Sequence, residues 1–506
     1  MPDETKTEAF RPEARNPRGF ADKRARDLRA ERAILEAVSK VYERHGFEAL
    51  DTGAFEYADA LGKFLPDSDR PNEGVFALQD DDDQWMALRY DLTAPLARFA
   101  AQNWETLPKP FRRYAYGPVW RNEKPGPGRF REFIQCDADT VGSARPEADA
   151  EIIAMAVAGL EAAGLPEGQS VIRINHRKLL NGVLSANGIT SAAQTTTVLR
   201  AIDKLDRLGV EGVRLLLGEG RRDDSGDFTR GAQLGAAANN AIVEFLSIAT
   251  FEPATFQIEA HQPAMFSYNT FDKVAALNVA SPEYEAALSE IESIMSTLKM
   301  LGVSERQAVF DPSIVRGLEY YTGAVFEAEL LLSTLDEKGN KVSFGSIGGG
   351  GRYDDLIARF TGQPVPATGF SFGVSRLASA LRAAGREPGG AARGPVVIIN
   401  FDQAHMGEYF SVAADLRNAG IPAEVYLGTS GMRPQMKYAD RRMAPAAIML
   451  GGDEIAAGTV TIKDLDLGRE LASGVADNAA WKAERPGQQT LPRGELVAAV
   501  RKIIEG

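Results

Sequence analysis

RRYAYGPVWRNEKPGPGRFREFIQCDADT, residues 112–140, carries the pattern of two strands around a turn. Tyr114–Val119 and Phe130–Asp139 read as the strands, and the Gly/Pro-rich segment Asn122–Gly128 as the loop joining them. Side chains alternate between the two faces of a strand. The even positions of the second strand are Phe130, Glu132, Ile134, Cys136, Ala138 and Thr140, a mostly apolar set expected to pack inward. The odd positions are Arg129, Arg131, Phe133, Gln135, Asp137 and Asp139. Two arginines, an aromatic ring, an amide and two carboxylates in that order read as the floor of a ligand site; a solvated outer face is the plainer alternative. Seven basic residues (Lys109, Arg112, Arg113, Arg121, Lys124, Arg129, Arg131) fall between positions 109 and 131, against one acid, Glu123. Guanidinium groups pair with phosphate oxygens in a bidentate fork, and a strand–loop–strand frame holds them in place. A basic surface hairpin is the alternative.

That cluster stands against the charge of the whole. The chain has 506 residues, with 57 Lys and Arg against 70 Asp and Glu, a net charge of −13. That balance argues against a wholly basic coat for nucleic acid, and any such contact needs a local patch. Cys136 is the one cysteine, so neither an internal disulfide nor a cysteine-rich zinc site is possible. His45, His176, His261 and His405 lack zinc-ligand spacing, and no zinc is expected. The first twenty residues have no apolar core of a secretory signal, and no apolar run is long enough to span a bilayer. A soluble cytoplasmic protein with no membrane contact is expected. The Asp80–Asp83 run reads as a solvated loop tip.

The length suggests about three domains. Residues 1–16 read as a mobile arm. A helix begins near Ala21, with Leu28, Ile34, Leu35, Val38, Val41 and Tyr42 on one face, and Gly46 as its stop. Phe47–Leu50 and Trp85–Arg89 read as strands, Ala94–Gln102 and Pro146–Gly164 as helices, and Ser170–Asn175 as a strand. Residues 178–306 are dominated by helical patterns and read as an inserted helical module. Strands return at Ala308–Phe310, Ala324–Leu331 and Lys341–Ser346. The Gly/Ala/Pro-rich segment 381–394 reads as a linker. Beyond it, strands and helices alternate over residues 395–506, a compact α/β domain.

Four further segments carry candidate chemistry. RGLEYYTG (316–323) places an arginine, a carboxylate and two tyrosines among glycines; a hairpin with aromatic packing is the alternative. GSIGGGGRYDDL (345–356) is neither a Walker loop nor a G-x-G-x-x-G fingerprint. Its glycines suit either backbone lying close against a ligand or a flexible turn. ATGFSFGVSRL (367–377) leads small residues into a helix that presents Arg376. In LRYDLTAPLARF (88–99), Asp91 and Thr93 sit at a strand-to-helix junction, where capping alone would explain them.

Together and in this order, these segments resemble the class II aminoacyl-tRNA synthetases, and among them the histidyl-tRNA synthetase family. RNEKPGPGRFREF with Gln135 resembles motif 2, GFSFGVSRL motif 3, and RHGFEALDTGAFE the dimer-forming motif 1. RGLEYYTG and GGGGRYDDL resemble the two signatures of the histidine enzymes. The resemblance runs from about residue 17 to the C-terminus. It implies a mixed α/β fold: an α+β catalytic domain with a mainly antiparallel sheet flanked by helices (17–177 and 307–380), the helical insertion, and a C-terminal α/β anticodon-binding domain (395–506). It implies L-histidine, ATP with Mg²⁺, and tRNA(His) as ligands, and a homodimer. By the same resemblance Arg121 holds the α-phosphate, Glu123 contacts adenine, and Arg129 reaches the outer phosphates. Phe133 stacks under adenine with Arg376 on the opposite side. Asp91, Thr93 and Gln135 hold the histidine α-amino group. Asp139, Tyr321 and Tyr353 read the imidazole, with Tyr320 adjacent, and Arg316 contacts the α-phosphate and the histidine carboxylate.

The sequence departs from the family at two points. Gly53 stands where motif 1 usually has proline, and LRYDLT gives Asp91 where a glutamate is more usual. Two other readings are carried forward. One is a non-catalytic paralogue, such as the regulatory subunit of ATP phosphoribosyltransferase; such paralogues generally lack the last domain and lose ATP-binding arginines. The other is a class II synthetase for another amino acid, against which the two histidine signatures argue.

Overall fold

In this computed structural model, residues 12–64, 74–125, 130–202, 204–222, 226–248, 264–277, 279–314, 320–332, 334–335, 341–342, 344–390, 393–472 and 487–505 are described. The chain forms two compact units, Met1–Gly389 and Gly390–Gly506.

The first unit is organised on an eight-stranded sheet. Its strands are β1 (Glu48–Ala49), β2 (Phe111–Trp120), β3 (Glu132–Val141), β4 (Ser170–His176), β5 (Ala308–Phe310), β6 (Ala324–Leu330), β7 (Ser346–Arg352) and β8 (Ala367–Gly373). Their spatial order is β1-β2-β3-β8-β7-β6-β4-β5. The pairs β1–β2 and β5–β4 are parallel, and the five pairs between them are antiparallel.

Helix α1 (Ala25–Arg44) lays Ala30, Ile34, Val38, Val41 and Tyr42 against the sheet. Gly46, with φ of 77°, follows the helix end in a conformation open to glycine. Helix α2 (Thr93–Asn103) leads into β2, and α3 (Pro146–Ala162) starts with Pro146 in its first turn, where the missing N–H costs nothing. Tyr114, Cys136, Ala138, Phe370 and Phe372 meet α1 and α3 in one apolar cluster. This is the inward face expected for Cys136 and Ala138.

Several elements differ from expectation. The second hairpin strand starts at Glu132 rather than Phe130. The GSIGGGG glycines are β7, a central strand, and not a turn. Glycine has little intrinsic strand preference, so β7 owes its form to its neighbours. A Cβ on Gly350 would overlap the carbonyl oxygen of Gly369. Within 178–306, the helical pattern around residues 192–217 is two helices, Ala192–Ile202 and Leu205–Leu217. A short hairpin, Gly220–Arg222 with Phe228–Arg230, interrupts the helical pattern. Strands of three residues are too short to show alternation.

Helix α4 (Val374–Ala383) extends three residues into the segment read as a linker. The second unit holds a five-stranded mixed sheet with helices such as Met406–Asn418 and Met432–Arg441.

Candidate active site

Cross-strand register gathers one row of side chains on a single face of the sheet. Phe133, Gln135, Asp137 and Asp139 of β3 stand opposite Val119, Gly117, Ala115 and Arg113 of β2. On the other side Gly373, Ser371 and Gly369 of β8 stand opposite Gln135, Asp137 and Asp139. Directly opposed residues share a face. The polar row is thus bordered by glycine, alanine and serine, which leave room above it. Gly369 has a specific duty: a Cβ there would overlap the Asp139 carboxylate.

At one end of the row, Asp139 is buried between charge and phenol. Arg113 Nη2 lies 2.9 Å from Asp139 Oδ2, and both side chains are almost wholly out of solvent. Arg113 Nη2 also donates to the carbonyl of Leu92 at 2.8 Å. Tyr353 donates its hydroxyl proton to Asp139 Oδ1. Burial pushes the Asp139 carboxyl up; Arg113 and Tyr353 oppose that shift and Asp91 adds to it. The Tyr320 ring packs on Tyr321 at 5.2 Å and on Tyr353 at 5.7 Å. Thr322 fixes this segment: its amide donates to the carbonyl of Arg352 at 2.7 Å, and its hydroxyl accepts from the Asp354 amide at 3.0 Å. The two candidate signatures are therefore tied together by backbone.

In the middle of the row, Gln135 Nε2 donates to Ser371 Oγ at 2.9 Å. Asp91 Oδ1 accepts from the amides of Thr93 (3.0 Å) and Ala94 (2.8 Å). The capping alternative therefore holds as geometry: Asp91 closes the first turn of α2. Burial raises its carboxyl, against those two amides, Arg121 and Arg113.

At the other end, Arg121 is half-buried with its guanidinium beside two rings. Its guanidinium carbon is 4.3 Å from the Tyr90 centroid and 5.1 Å from that of Phe133. Arg121 Nε donates to the Tyr90 carbonyl at 3.4 Å, and Tyr90 Oη donates to Glu123 Oε1 at 3.2 Å. Arg376, in the first turn of α4, donates to the carbonyl of Ser346 at 2.7 Å. Arg129 and Arg316 lie outside the described residues.

The structure thus brings together Asp139, Tyr320, Tyr321 and Tyr353, and separately Arg121, Glu123 and Phe133, along the floor that carries Gln135. It adds two residues that sequence reasoning did not assign. Arg113 appeared only as one of seven basic residues; Asp137 appeared in the polar row without a role. Their signal was present, since Arg113 becomes the partner of Asp139 once the hairpin register is set. Among the described residues, no group of three or more His, Cys, Asp or Glu side chains is arranged to hold a metal ion.

A family model for histidyl-tRNA synthetase matches residues 19–377. The chain belongs to the histidyl-tRNA synthetase family. An anticodon binding domain model matches residues 395–503. The histidine–tRNA ligase of Caulobacter vibrioides is 77% identical over 497 residues, covering 98% of each chain. That of Brucella suis biovar 1 is 52% identical over 97% of this chain and 96% of its own. The crystal structure of histidyl-tRNA synthetase from a Nostoc species superposes with a TM-score of 0.67 at 27% identity, covering 97% of this chain and 100% of that one. A Bacillus halodurans structure described as an ATP phosphoribosyltransferase regulatory subunit/histidyl-tRNA synthetase shares the fold at 22% identity and a TM-score of 0.64. The fold is the class II synthetase fold of this family, with a mixed, largely antiparallel sheet flanked by helices and a C-terminal anticodon-binding domain.

Proposed function

We propose that this chain activates L-histidine with ATP to histidyl-adenylate and transfers the histidyl group to the 3′ end of tRNA(His). The observation that carries this reading is 77% identity, across nearly the whole chain, to a histidine–tRNA ligase. The site supports it through the buried Arg113–Asp139–Tyr353 cluster at one end of the floor and the stacked Arg121 at the other.

In this reading the reaction is an in-line attack by the histidine carboxylate on the α-phosphate. Two anions must meet, so the need is for cations and positioning. Arg121 and Arg316 neutralise the α-phosphate and the carboxylate. Glu123 and Phe133 receive adenine, Arg376 covers its other side, and Arg129 reaches the outer phosphates. ATP brings Mg²⁺ on its own phosphates. The attacking carboxylate is already ionised near neutral pH, so no general base is required. Asp91, Thr93 and Gln135 hold the α-amino group. Asp139, Tyr321 and Tyr353, with Tyr320 beside them, read the imidazole. Buried polar groups there would be left unpaired by a ligand without ring nitrogens, which supports rejection by roughly 10⁴-fold or more.

The reading extends to a homodimeric cytoplasmic enzyme that works without zinc. Its proposed parts are an arm (1–16), a catalytic domain in two pieces (17–177, 307–380) around an insertion (178–306), a linker (381–394) and an anticodon-binding domain (395–506). Among the described residues, no helix is long and apolar enough to cross a membrane. Of the basic candidates for the anticodon stem (Lys437, Arg441, Arg442, Lys463), Arg442 is engaged by Glu424, with Nε–Oε1 and Nη2–Oε2 both at 3.0 Å.

The deciding experiment is amino-acid-dependent exchange of pyrophosphate into ATP with each of the twenty amino acids and no tRNA. Exchange with histidine alone is expected. Exchange with another amino acid would move the chain to a sister enzyme. Histidine binding without exchange would favour a regulatory subunit of ATP phosphoribosyltransferase. Affinity for tRNA(His) is expected to fall steeply as salt rises, measured by filter binding between low and physiological salt. A flat response would argue against a surface that tracks phosphates.

A further inference from the structure

Helix α4 presents Arg376, and Ser375, the residue before it, has no part in the roles above. Its hydroxyl joins three segments of the chain. Strand β8 ends at Gly373, opposite Gln135 of β3. One residue earlier on β3, the Ile134 amide donates instead to Ser375 Oγ at 3.0 Å. The same hydroxyl donates to Glu31 Oε1 of α1 at 2.6 Å and accepts from Lys23 Nζ at 3.3 Å. A serine hydroxyl has one proton and two lone pairs, and all three are in use. Ser375 and Glu31 are both buried. Lys23 closes the group, with Nζ 2.7 and 3.0 Å from the two Glu31 oxygens. A second tie, Arg382 to Asp27, joins the same two helices. Residues 27 and 31 lie about one turn apart on α1, and 375 and 382 about two turns apart on α4. This polar seam fixes α4 against both α1 and β3.

What the seam fixes is a gap. Phe133 immediately precedes Ile134, and Arg376 immediately follows Ser375. Alternation puts Phe133 on the floor face of β3. Arg376 reaches across to β7, where it donates to the Ser346 carbonyl at 2.7 Å. The two groups assigned to opposite sides of adenine are therefore linked by one hydrogen bond between their chain neighbours. Contact attraction is steep in distance: an opening of about 0.5–1 Å forfeits a quarter to a half of it. A ring held on both sides is sensitive to that width.

We infer that Ser375 and Glu31 are positioning residues for the nucleotide: the Glu31–Ser375–Ile134 chain sets the width of the slot between Phe133 and Arg376 that receives adenine. Glu31 takes the hydroxyl proton, which leaves the lone pairs of Ser375 for the Ile134 amide and Lys23. Both residues act through their neighbours. This rests on the proposed ATP-dependent activation of histidine and adds two residues to which that reading gives no role.

The test is steady-state pyrophosphate exchange by the full-length protein, with calorimetric titration by ATP alone beside it. Ser375→Ala removes the junction but leaves Glu31 paired with Lys23, so no buried charge is stranded. KM for ATP is expected to rise by roughly 10-fold, inside the 10²-fold that an ångström of misplacement can cause, with KM for histidine within about 2-fold of its starting value. The ATP dissociation constant should rise in parallel. Glu31→Ala should give the same ATP effect. Glu31→Gln keeps an oxygen to accept the Ser375 proton and should recover most of the loss. The double alanine variant should be little worse than either single one, since both break one chain. An unchanged ATP KM and dissociation constant in folded Ser375→Ala overturns the inference. An equal rise in both KM values also overturns it, since that marks a general loosening of the site. If Ser375→Ala fails to fold, equal ATP affinity in Glu31→Ala and Glu31→Gln overturns it. Absent exchange with ATP dissociation constants that still shift as expected sinks the proposed activity and leaves the slot standing. Normal exchange with unshifted ATP values does the reverse.

Discussion

Alanine in place of Arg121 is expected to lower the rate of histidyl-adenylate formation by about 10²–10³-fold, the usual effect of losing one preorganised contact to developing charge. Arg316→Ala is expected to do the same. The argument is electrostatic: a carboxylate approaches a phosphorus already surrounded by anionic oxygens, and each guanidinium removes part of that repulsion in the transition state. Arg121 suits the task because Tyr90 and Phe133 hold its guanidinium plane at 4.3 and 5.1 Å. Among the described residues its side chain makes one long hydrogen bond to the protein, Nε to the Tyr90 carbonyl at 3.4 Å. Arg121 is half-buried, and it acts on the buried Asp91 carboxyl less strongly than the Ala94 amide does, so the thermal midpoint should move little. Single-turnover adenylation at saturating histidine and ATP reads the effect. A near-normal rate would remove Arg121 from the reaction. If both arginines act on one α-phosphate, the double variant should lose less than the product of the single losses.

The sequence reading reached this site unevenly, and the reasons are physical. Alternation from Phe133 to Asp139 was legible because period two is imposed by the strand itself. That the row is the floor of a site follows from what borders it, and one of the two borders is β8, more than 200 residues later in the chain. The four glycines of β7 carried no strand signal. They suit a close backbone approach to a ligand or a flexible turn because glycine is permissive; they form a strand because Gly350 must lie against the Gly369 carbonyl and Gly351 must admit the Tyr321 ring. Asp91 was legible as a helix cap and is one, and the same carboxylate lies within the field of Asp137 and Asp139. Local rules describe its hydrogen bonds; only tertiary structure supplies its neighbours. Arg113 has no role of its own among the seven basic residues of the sequence because nothing local distinguishes it from Arg112. Register does: Arg112 pairs with Thr140, and Arg113 with Asp139.

Arg113→Ala is accordingly expected to be the most disruptive single change to stability, lowering it by about 3–5 kcal/mol. Arg113 is fully buried and its guanidinium faces Asp139, with Asp137 near it. Burial disfavours its charge, and Asp139, Asp137, Tyr353 and Tyr320 favour it by a larger margin. Alanine would leave the buried Asp139 carboxyl with the Tyr353 hydroxyl but without its ion-pair partner. The deficit should depend on pH, and its sign is fixed by the direction of the shifts. Both carboxyls already have raised pKa values, and losing Arg113 raises them further. A group with a raised folded-state pKa is tolerated while protonated and destabilises as pH climbs through that value. The gap between Arg113→Ala and the unsubstituted protein should therefore be smaller at about pH 5.5 than at about pH 8.5, measured by denaturant midpoint at each pH. Equal deficits at both would mean that Arg113 contributes packing alone, and that Asp139 keeps its place through Tyr353 and Gly369 without a counter-ion.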